Sequence, residues 1–472
     1  MTHYDLAIIG SGSGNTLITP EWDGKKIAII EGGTFGGTCL NVGCIPTKMF
    51  VYPAELARAA TDAGRLGVDV QLTGVRWEAL RDRIFTRIDS ISEAGRTYRG
   101  AELEDVDLYE EEVRFTGDRT LKTASGEVIS ADQVVIAAGS RAVVPDIPGL
   151  DLPQVHTSDT VMRLTEQPRR MLIIGGGYIA AEFAHIFSSL GTDVTLAVRS
   201  EFMLRSLDDT VSEQFTESAR AQWKLLTGHQ VSRVSSNGDG SVTADLAGPD
   251  GTALQVEADV VLVATGRKPN SDRTGAAEVG FDLAEDGRVE VDVFQRVLRR
   301  GQPVEGVWAL GDVSSPFQLK HVANHEARVV THNLLHPDAL HASDHRYVPA
   351  AVFTRPQIAT VGLTEEQALE RAERTGSKAL VAVQQYGSTA YGWAMEDTTG
   401  FVKLIAEEDT GTILGAHIMG QDASNLIQPV IQAMHFGLDA FTMARGQYWI
   451  HPALTEVVEN ALLSLKTPST GG

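Results

Sequence analysis

At 472 residues, with 46 glycines and 43% hydrophobic side chains, the chain is long enough for about three α/β domains and a core that needs no cross-links. Its formal net charge of −22 excludes nucleic acid and anionic membrane surfaces as natural partners, because both select basic faces. No apolar run is long enough to span a bilayer and the first residues carry no signal-peptide pattern, so the cytoplasm is the expected compartment.

The first predicted element is a buried strand, Tyr4 to Ile9, running into Gly10-Ser11-Gly12-Ser13-Gly14-Asn15; a second strand, Ile27 to Ile30, ends in Glu31. Glycines at 10, 12 and 14 let the main chain approach a pyrophosphate, and a carboxylate ending the second strand can bind a ribose diol. Two features depart from that pattern. Asn15 stands where the motif's last glycine is expected, and the segment before the second strand is short for a helix and contains Pro20.

The only two cysteines follow at once, in Gly36-Gly37-Thr38-Cys39-Leu40-Asn41-Val42-Gly43-Cys44-Ile45-Pro46-Thr47-Lys48. A close thiol pair beside a nucleotide loop proposes a dithiol that cycles against a bound flavin, the second thiol resolving what the first attacks. On an ideal helix, residues five apart point about 140° away from one another. The flanking glycines and Pro46 are expected to break that ideality and bring the sulfurs together. A structural disulfide is not needed by a chain this long, and zinc would require two further ligands at metal spacing, so no metal is expected.

A second strand and glycine turn recurs at Arg170 to Ile174 and Gly175-Gly176-Gly177-Tyr178-Ile179. Its next strand, Val194 to Val198, ends in Arg199 instead of an acid, with Arg205 six residues on. Guanidinium groups there suit a 2′-phosphate, which favours NADPH over NADH. Three apolar strands end in small residues, at Ala138-Gly139, at Ala264-Thr265-Gly266-Arg267 and at Gly311-Asp312, where backbone can pass close to a cofactor. Asp312 can accept a hydrogen bond from a flavin ribityl hydroxyl. The second unit is thus inserted into the first, giving 1–149 and 281–346 as the two parts of an FAD-binding domain around a nicotinamide-binding domain, 150–280. From Tyr347 the pattern changes to alternating strands and a helix over Ala433 to Arg445, making 347–472 a third domain. It ends in His451-Pro452-Ala453-Leu454-Thr455-Glu456, where an imidazole and a carboxylate can work as an acid and its orienting partner, although a His-Pro turn is as readily a local structural feature.

Taken together, the G-G-T-C-L-N-V-G-C-I-P-T-K run, the two glycine units, A-T-G-R, G-D and H-P-x-x-x-E resemble the flavoprotein pyridine nucleotide-disulfide oxidoreductases over essentially the full length. The resemblance implies two Rossmann-like FAD/NAD(P)-binding domains plus a C-terminal α+β dimerisation domain, with FAD and NADPH as cofactors. It implies Cys44 as the thiol facing the flavin, Cys39 as the interchange thiol, and Gly37 and Thr38 beside the cofactor. Lys48 would sit by the flavin and pair with Glu182, and Tyr178, next to Ile179, would cover the nicotinamide pocket. His451, oriented by Glu456, would protonate the departing thiol across a homodimer interface. Within the family, Gly33 to Gly37, Lys320 to Arg328, Ala390 to Asp397 and Arg445 to His451 resemble a reductase of a low-molecular-weight disulfide. Glutathione disulfide and dihydrolipoamide remain the rival substrates, and a non-catalytic flavin-binding scaffold is the rival class. Mercuric ion is disfavoured because no cysteine follows Cys44.

Overall fold

The computed structural model describes residues 1–465. Among the described residues three larger sheets organise the chain, beside a three-stranded and a two-stranded one. In the first, strands run in the order Arg296–Arg299, Gln302–Ala309, Val128–Ile136, Thr2–Ile9, Ile27–Ile30 and Val106–Tyr109, with the hairpin Val113–Gly117 and Thr120–Thr123 attached at its side. Ile9 pairs in parallel with both Ile30 and Ile136, and Ile136 with Ala309. The central strands are covered on both faces and read as unbroken apolar runs, as parallel sheets require. Ile8, Ile29 and Ile136 are wholly buried, each contributing about 1.5–3 kcal/mol relative to exposure.

That register has a functional consequence. Gly10, Glu31, Ala138 and Gly311 all follow the carboxyl ends of neighbouring strands and therefore meet along one sheet edge, the place where open α/β sheets bind ligands. The second sheet repeats the arrangement. Its parallel strands Lys224–Thr227, Asp193–Val198, Arg170–Ile174, Val260–Val263 and Val155–His156 bring Gly175, Arg199 and Ala264 to a common edge. The chain leaves the first sheet after Val128–Ile136, builds the second, and returns to the first with Arg296–Arg299 and Gln302–Ala309. The third sheet is antiparallel, in the order Pro349–Val352, Gln357–Gly362, Ile413–Gly420, Phe401–Glu407 and Ala379–Gln385, with Thr455–Ser464 packed on the last two strands. No helix among the described residues is long and apolar enough to cross a membrane.

Two sequence expectations are refined. The segment containing Pro20 forms two single 3₁₀ turns, Gly14–Leu17 and Pro20–Trp22, where a helix would ordinarily follow the loop. Asn15 is fastened there by Arg99, which donates to its side-chain oxygen at 2.8 Å. The helix expected over Ala433 to Arg445 is two helices, Gln428–Phe436 and Ala440–Arg445. Gly437 ends the first in the left-handed region (φ +69°) and Asp439 caps the second by accepting from the amides of Phe441 and Thr442.

Candidate active site

Cys39 lies in a short helix, Gly37–Asn41, and Cys44 begins a long one, Cys44–Asp62. The chain breaks between them at Val42 and Gly43. Gly43 has φ −128° and ψ −119°, and a Cβ on it would come within 2.9 Å of the Thr38 carbonyl oxygen, so the turn accepts no side chain there. Pro46 sits in the first turn of the second helix, where its missing N–H costs nothing. Gly43 therefore makes the break and Pro46 starts the helix after it. The result is a free dithiol whose cysteines approach to about 3.2 Å.

The two thiols are not equivalent. A hydrogen bond from Cys39, assisted by the charge of Lys48, holds Cys44 down to about 7 from an ordinary 9.0, against the desolvation of the site. The position at the start of a helix favours thiolate in the same sense. The same hydrogen bond, followed by burial, pushes Cys39 up. Cys44 faces a cavity of about 560 Å³ that Lys48, Met49, Tyr52 and Arg83 also line.

Lys48, one turn along from Cys44, donates to both carboxylate oxygens of Glu182 at 2.8 Å. Glu182 is buried in the helix Tyr178–Ser189 and also accepts from the amide of Phe353 at 3.0 Å, while the Lys48 ammonium lies 4.6 Å from the centre of the Phe353 ring. The pair thus joins the dithiol helix, the second glycine unit and the third sheet. Tyr178 and Ile179 open that helix, with the Tyr178 ring partly exposed.

At the first sheet edge, Gly10 (φ +103°) has no room for a side chain, since a Cβ would lie 2.3 Å from the Ala137 carbonyl oxygen. Gly12 and Gly37 face one another backbone to backbone, a Cβ on Gly37 falling 2.7 Å from Gly12 Cα, and Thr38 follows directly. Gly14 is small for a different reason: a Cβ would strike Ile8 and Ala137, so it packs the turn on the sheet. Glu31 accepts from the amide and hydroxyl of Ser11, at 2.9 and 2.6 Å, and from the amide of Gly33 at 2.9 Å. Asp312 accepts from the Ser140 hydroxyl at 2.6 Å, and Ser140 in turn accepts from Arg267 at 2.8 Å. Beneath them the buried Glu326 accepts from the amide of Gly311 at 2.7 Å. Gly139 (φ +65°) and Gly266 (φ +137°) face open space.

At the second edge, Gly175 (φ +136°) and Gly176 are closed in by Ala264 and Val198, whereas Gly177, the cap of the helix, faces open space. Arg199 and Arg205 are both exposed, and neither has an ion-pair partner among the described residues. Far along the chain, His451 Nδ1 donates to Glu456 at 2.7 Å, and Glu456 also accepts from the amide of Ala453. The imidazole is directed by its carboxylate yet stands in solvent, its side chain 72% exposed. Tyr448 and Ile450 beside it are exposed as well.

Sequence reasoning passed over Ser11, Arg99, Ser140, Arg267 and Glu326. Ser11, Ser140 and Arg267 lie inside the motifs and could have been found as their polar members. Arg99 and Glu326 act across 84 and 15 residues and left no local signal.

A nucleotide cradle at each of two sheet edges, with a dithiol between them, defines a flavin- and nicotinamide-dependent disulfide oxidoreductase. The chain belongs to the pyridine nucleotide-disulphide oxidoreductase family, whose model matches residues 4–327, with the family's dimerisation domain at residues 348–462. It is 54% identical to mycothione reductase of Mycobacterium tuberculosis (strain CDC 1551 / Oshkosh), covering 99% of this chain and 100% of that protein. Mercuric reductase of Staphylococcus aureus is 34% identical (94% and 81% covered), and dihydrolipoyl dehydrogenase of Corynebacterium glutamicum 32% (97% and 97%). Among solved structures, the Cu(II) complex of the HOCl-induced flavoprotein disulfide reductase RclA from Escherichia coli superposes with a TM-score of 0.83 at 26% identity, covering 99% of this chain and 100% of that one. The protein is an enzyme that uses FAD and NADPH to reduce a disulfide. The residues present fit both cofactors: the first edge offers side-chain-free backbone at Gly10, Gly12 and Gly37, and the second offers an open helix start at Gly177 with two exposed guanidinium groups, those of Arg199 and Arg205.

Proposed function

We propose that the protein reduces mycothione to two molecules of mycothiol at the expense of NADPH, as a cytoplasmic homodimer with each active site shared between subunits. The observation that supports the substrate is the 54% identity, over the whole length of both chains, to an enzyme named for it. Supporting the dimer are the matching dimerisation domain and its exposed apolar side chains, Phe436 and, next to His451 in the chain, Tyr448 and Ile450. Bound FAD supplies a two-electron carrier between nicotinamide and dithiol. We assign it to the unit formed by 1–149 and 281–346, NADPH to 150–280, and the dimer contact to 347–472.

Each side chain then has a task. Gly10, Gly12, Gly37, Thr38, Ala138 and Gly139 give backbone access to FAD, with Glu31 at its ribose and Gly311-Asp312 at its ribityl chain. Gly175, Gly177, Ile179 and Gly266 give backbone access to NADPH, Tyr178 covers the nicotinamide pocket, and Arg199 and Arg205 hold the 2′-phosphate. Lys48, fixed by Glu182, keeps positive charge beside the Cys44 thiolate. Cys39 attacks the substrate disulfide, and its sulfur forms a mixed disulfide as the first product leaves. Cys44 then attacks Cys39, expelling the second product and closing the internal disulfide. His451 Nε2 of the partner subunit, with Glu456 holding Nδ1, takes the Cys39 proton and passes it to the departing thiolate.

Turnover of mycothione beside glutathione disulfide and lipoamide, with NADPH or NADH, tests the assignment. Preference for mycothione and NADPH is the expected result. Equal use of lipoamide with NADH would transfer the protein to the dehydrogenase branch.

A further inference from the structure

One buried charge in the described structure plays no part in the chemistry above. Lys403, in the third sheet, is 1% exposed, and its ammonium meets three acceptors: Asp208 at 2.7 Å, Thr210 at 2.9 Å and Glu365 at 2.6 Å. An ammonium has three protons, so the group is fully satisfied in the interior. Asp208 is itself 1% exposed and accepts from the amides of Thr210 at 3.1 Å and Glu365 at 2.9 Å. The cluster therefore fastens the cap of the helix Asp209–Gln222, in the second nucleotide unit, to the strand Phe401–Glu407 and the helix Glu365–Thr375 of the dimerisation domain.

What it fastens is the segment from Arg199 to Asp208. Arg205 lies three residues before Asp208, directly after Leu204, a buried non-glycine residue in the left-handed region (φ +54°). Residues held in that region persist only where the surroundings over-determine them, and they concentrate where a side chain must be aimed. Here the surroundings are specific: the Leu204 amide donates to the Gly176 carbonyl at 2.7 Å, the Ser212 hydroxyl donates to the Leu204 carbonyl at 2.9 Å, and the Met203 amide donates to Thr216 at 2.9 Å. The segment is thus tied at Leu204 to the glycine turn and at Asp208 to another domain, leaving Arg199 and Arg205 exposed at the strand end.

We propose that Lys403 is a positioning residue for cofactor choice: through Asp208 it presets the Arg199 to Asp208 segment so that Arg205 meets the 2′-phosphate of NADPH. The inference rests on the phosphate reading of Arg205. A preset guanidinium loses less freedom on binding than a mobile one, and a fixed loop discriminates between a phosphate and a hydroxyl where a loose loop would accommodate both.

Binding of adenosine 2′,5′-bisphosphate and of 5′-AMP to the purified holoenzyme, measured by calorimetry, separates the possibilities without turnover. Removing one buried partner alone strands the other charge and endangers folding, so the main variant is the double substitution Lys403→Met with Asp208→Asn, which leaves no buried charge between them. Glu365→Gln, at the partly exposed end of the cluster, is the second variant, and Arg205→Ala is the control. The double variant should weaken the bisphosphate by about 3- to 30-fold, leaving 5′-AMP unchanged, and Glu365→Gln should do the same to a smaller extent. Equal weakening of both ligands in the double variant, or in Glu365→Gln if the double variant does not fold, would mean a structural role only and overturn the proposal. So would an unchanged bisphosphate affinity in those variants while Arg205→Ala weakens it. If Arg205→Ala itself has no effect, the phosphate reading fails first and takes the inference with it.

Discussion

Cys39 and Cys44 are brought together within a few residues of chain, the first half-buried and the second exposed, and the Cys44 helix is tied by Lys48 to Glu182 and the second glycine unit. His451 has its orienting carboxylate at 2.7 Å, yet its ring stands in solvent at the opposite end of the sequence, among other exposed side chains. Both pairs are made locally, but only the dithiol is placed by the rest of its own chain. On the proposed function the difference separates the half-reactions: the thiol pair would accept electrons within one copy, whereas the proton donor for substrate reduction would be supplied by a second copy.

The sharpest way to break this division is to remove a thiol. Cys44→Ser should abolish turnover, by about 10⁶-fold, the scale seen when a covalent nucleophile is lost. Cys39→Ser should lose turnover equally while keeping an alkylatable thiolate at Cys44, which mass spectrometry after iodoacetamide treatment reads directly. A Cys39→Ser enzyme that turns over the disulfide would reverse the two roles.

Next in size comes the imidazole. His451→Ala should slow the disulfide-reducing half by about 10²- to 10⁴-fold and leave reduction by NADPH intact, with stopped-flow measurement of each half as the check. Equal losses in both halves would place His451 among the merely structural residues. Glu456→Gln removes one charge-assisted hydrogen bond and should cost about ten- to a hundredfold in the same half alone.

Acidity sharpens the comparison further. With Cys44 held down to about 7, its alkylation rate should fall as pH drops through about 7, where an ordinary thiol would already have lost reactivity below 9.0. Because the hydrogen bond from Cys39 is the largest cause, Cys39→Ala should move that midpoint upward, and an unmoved midpoint would put Lys48 in charge instead. The smallest expected effect is Gly43→Ala. Its Cβ would lie 2.9 Å from the Thr38 carbonyl oxygen, so stability should drop by about 1–3 kcal/mol in thermal unfolding, with slower formation of the internal disulfide.

Much of the site was legible in the sequence because its chemistry is written in short segments. A glycine turn after an apolar strand, an acid or an arginine at the end of the next strand, and a thiol pair flanked by glycines are each determined by neighbours within a few residues. The helix break is a limited case: the glycines and Pro46 suggested it, and the structure assigns it to Gly43. The expected helix over Ala433 to Arg445 failed because Gly437 and Asp439, a stop and a start signal two residues apart, outweighed the apolar periodicity around them.

By itself, then, the sequence determined the two nucleotide units, the dithiol, and the residue types that end the strands, since local spacing and backbone sterics suffice for these. Tertiary structure alone decided which distant groups meet: Glu182 with Phe353, Ser140 with Asp312 and with Arg267, Asp208 with Lys403. Those contacts join residues more than 100 positions apart, and their formation depends on sheet order and domain packing, which no local pattern encodes.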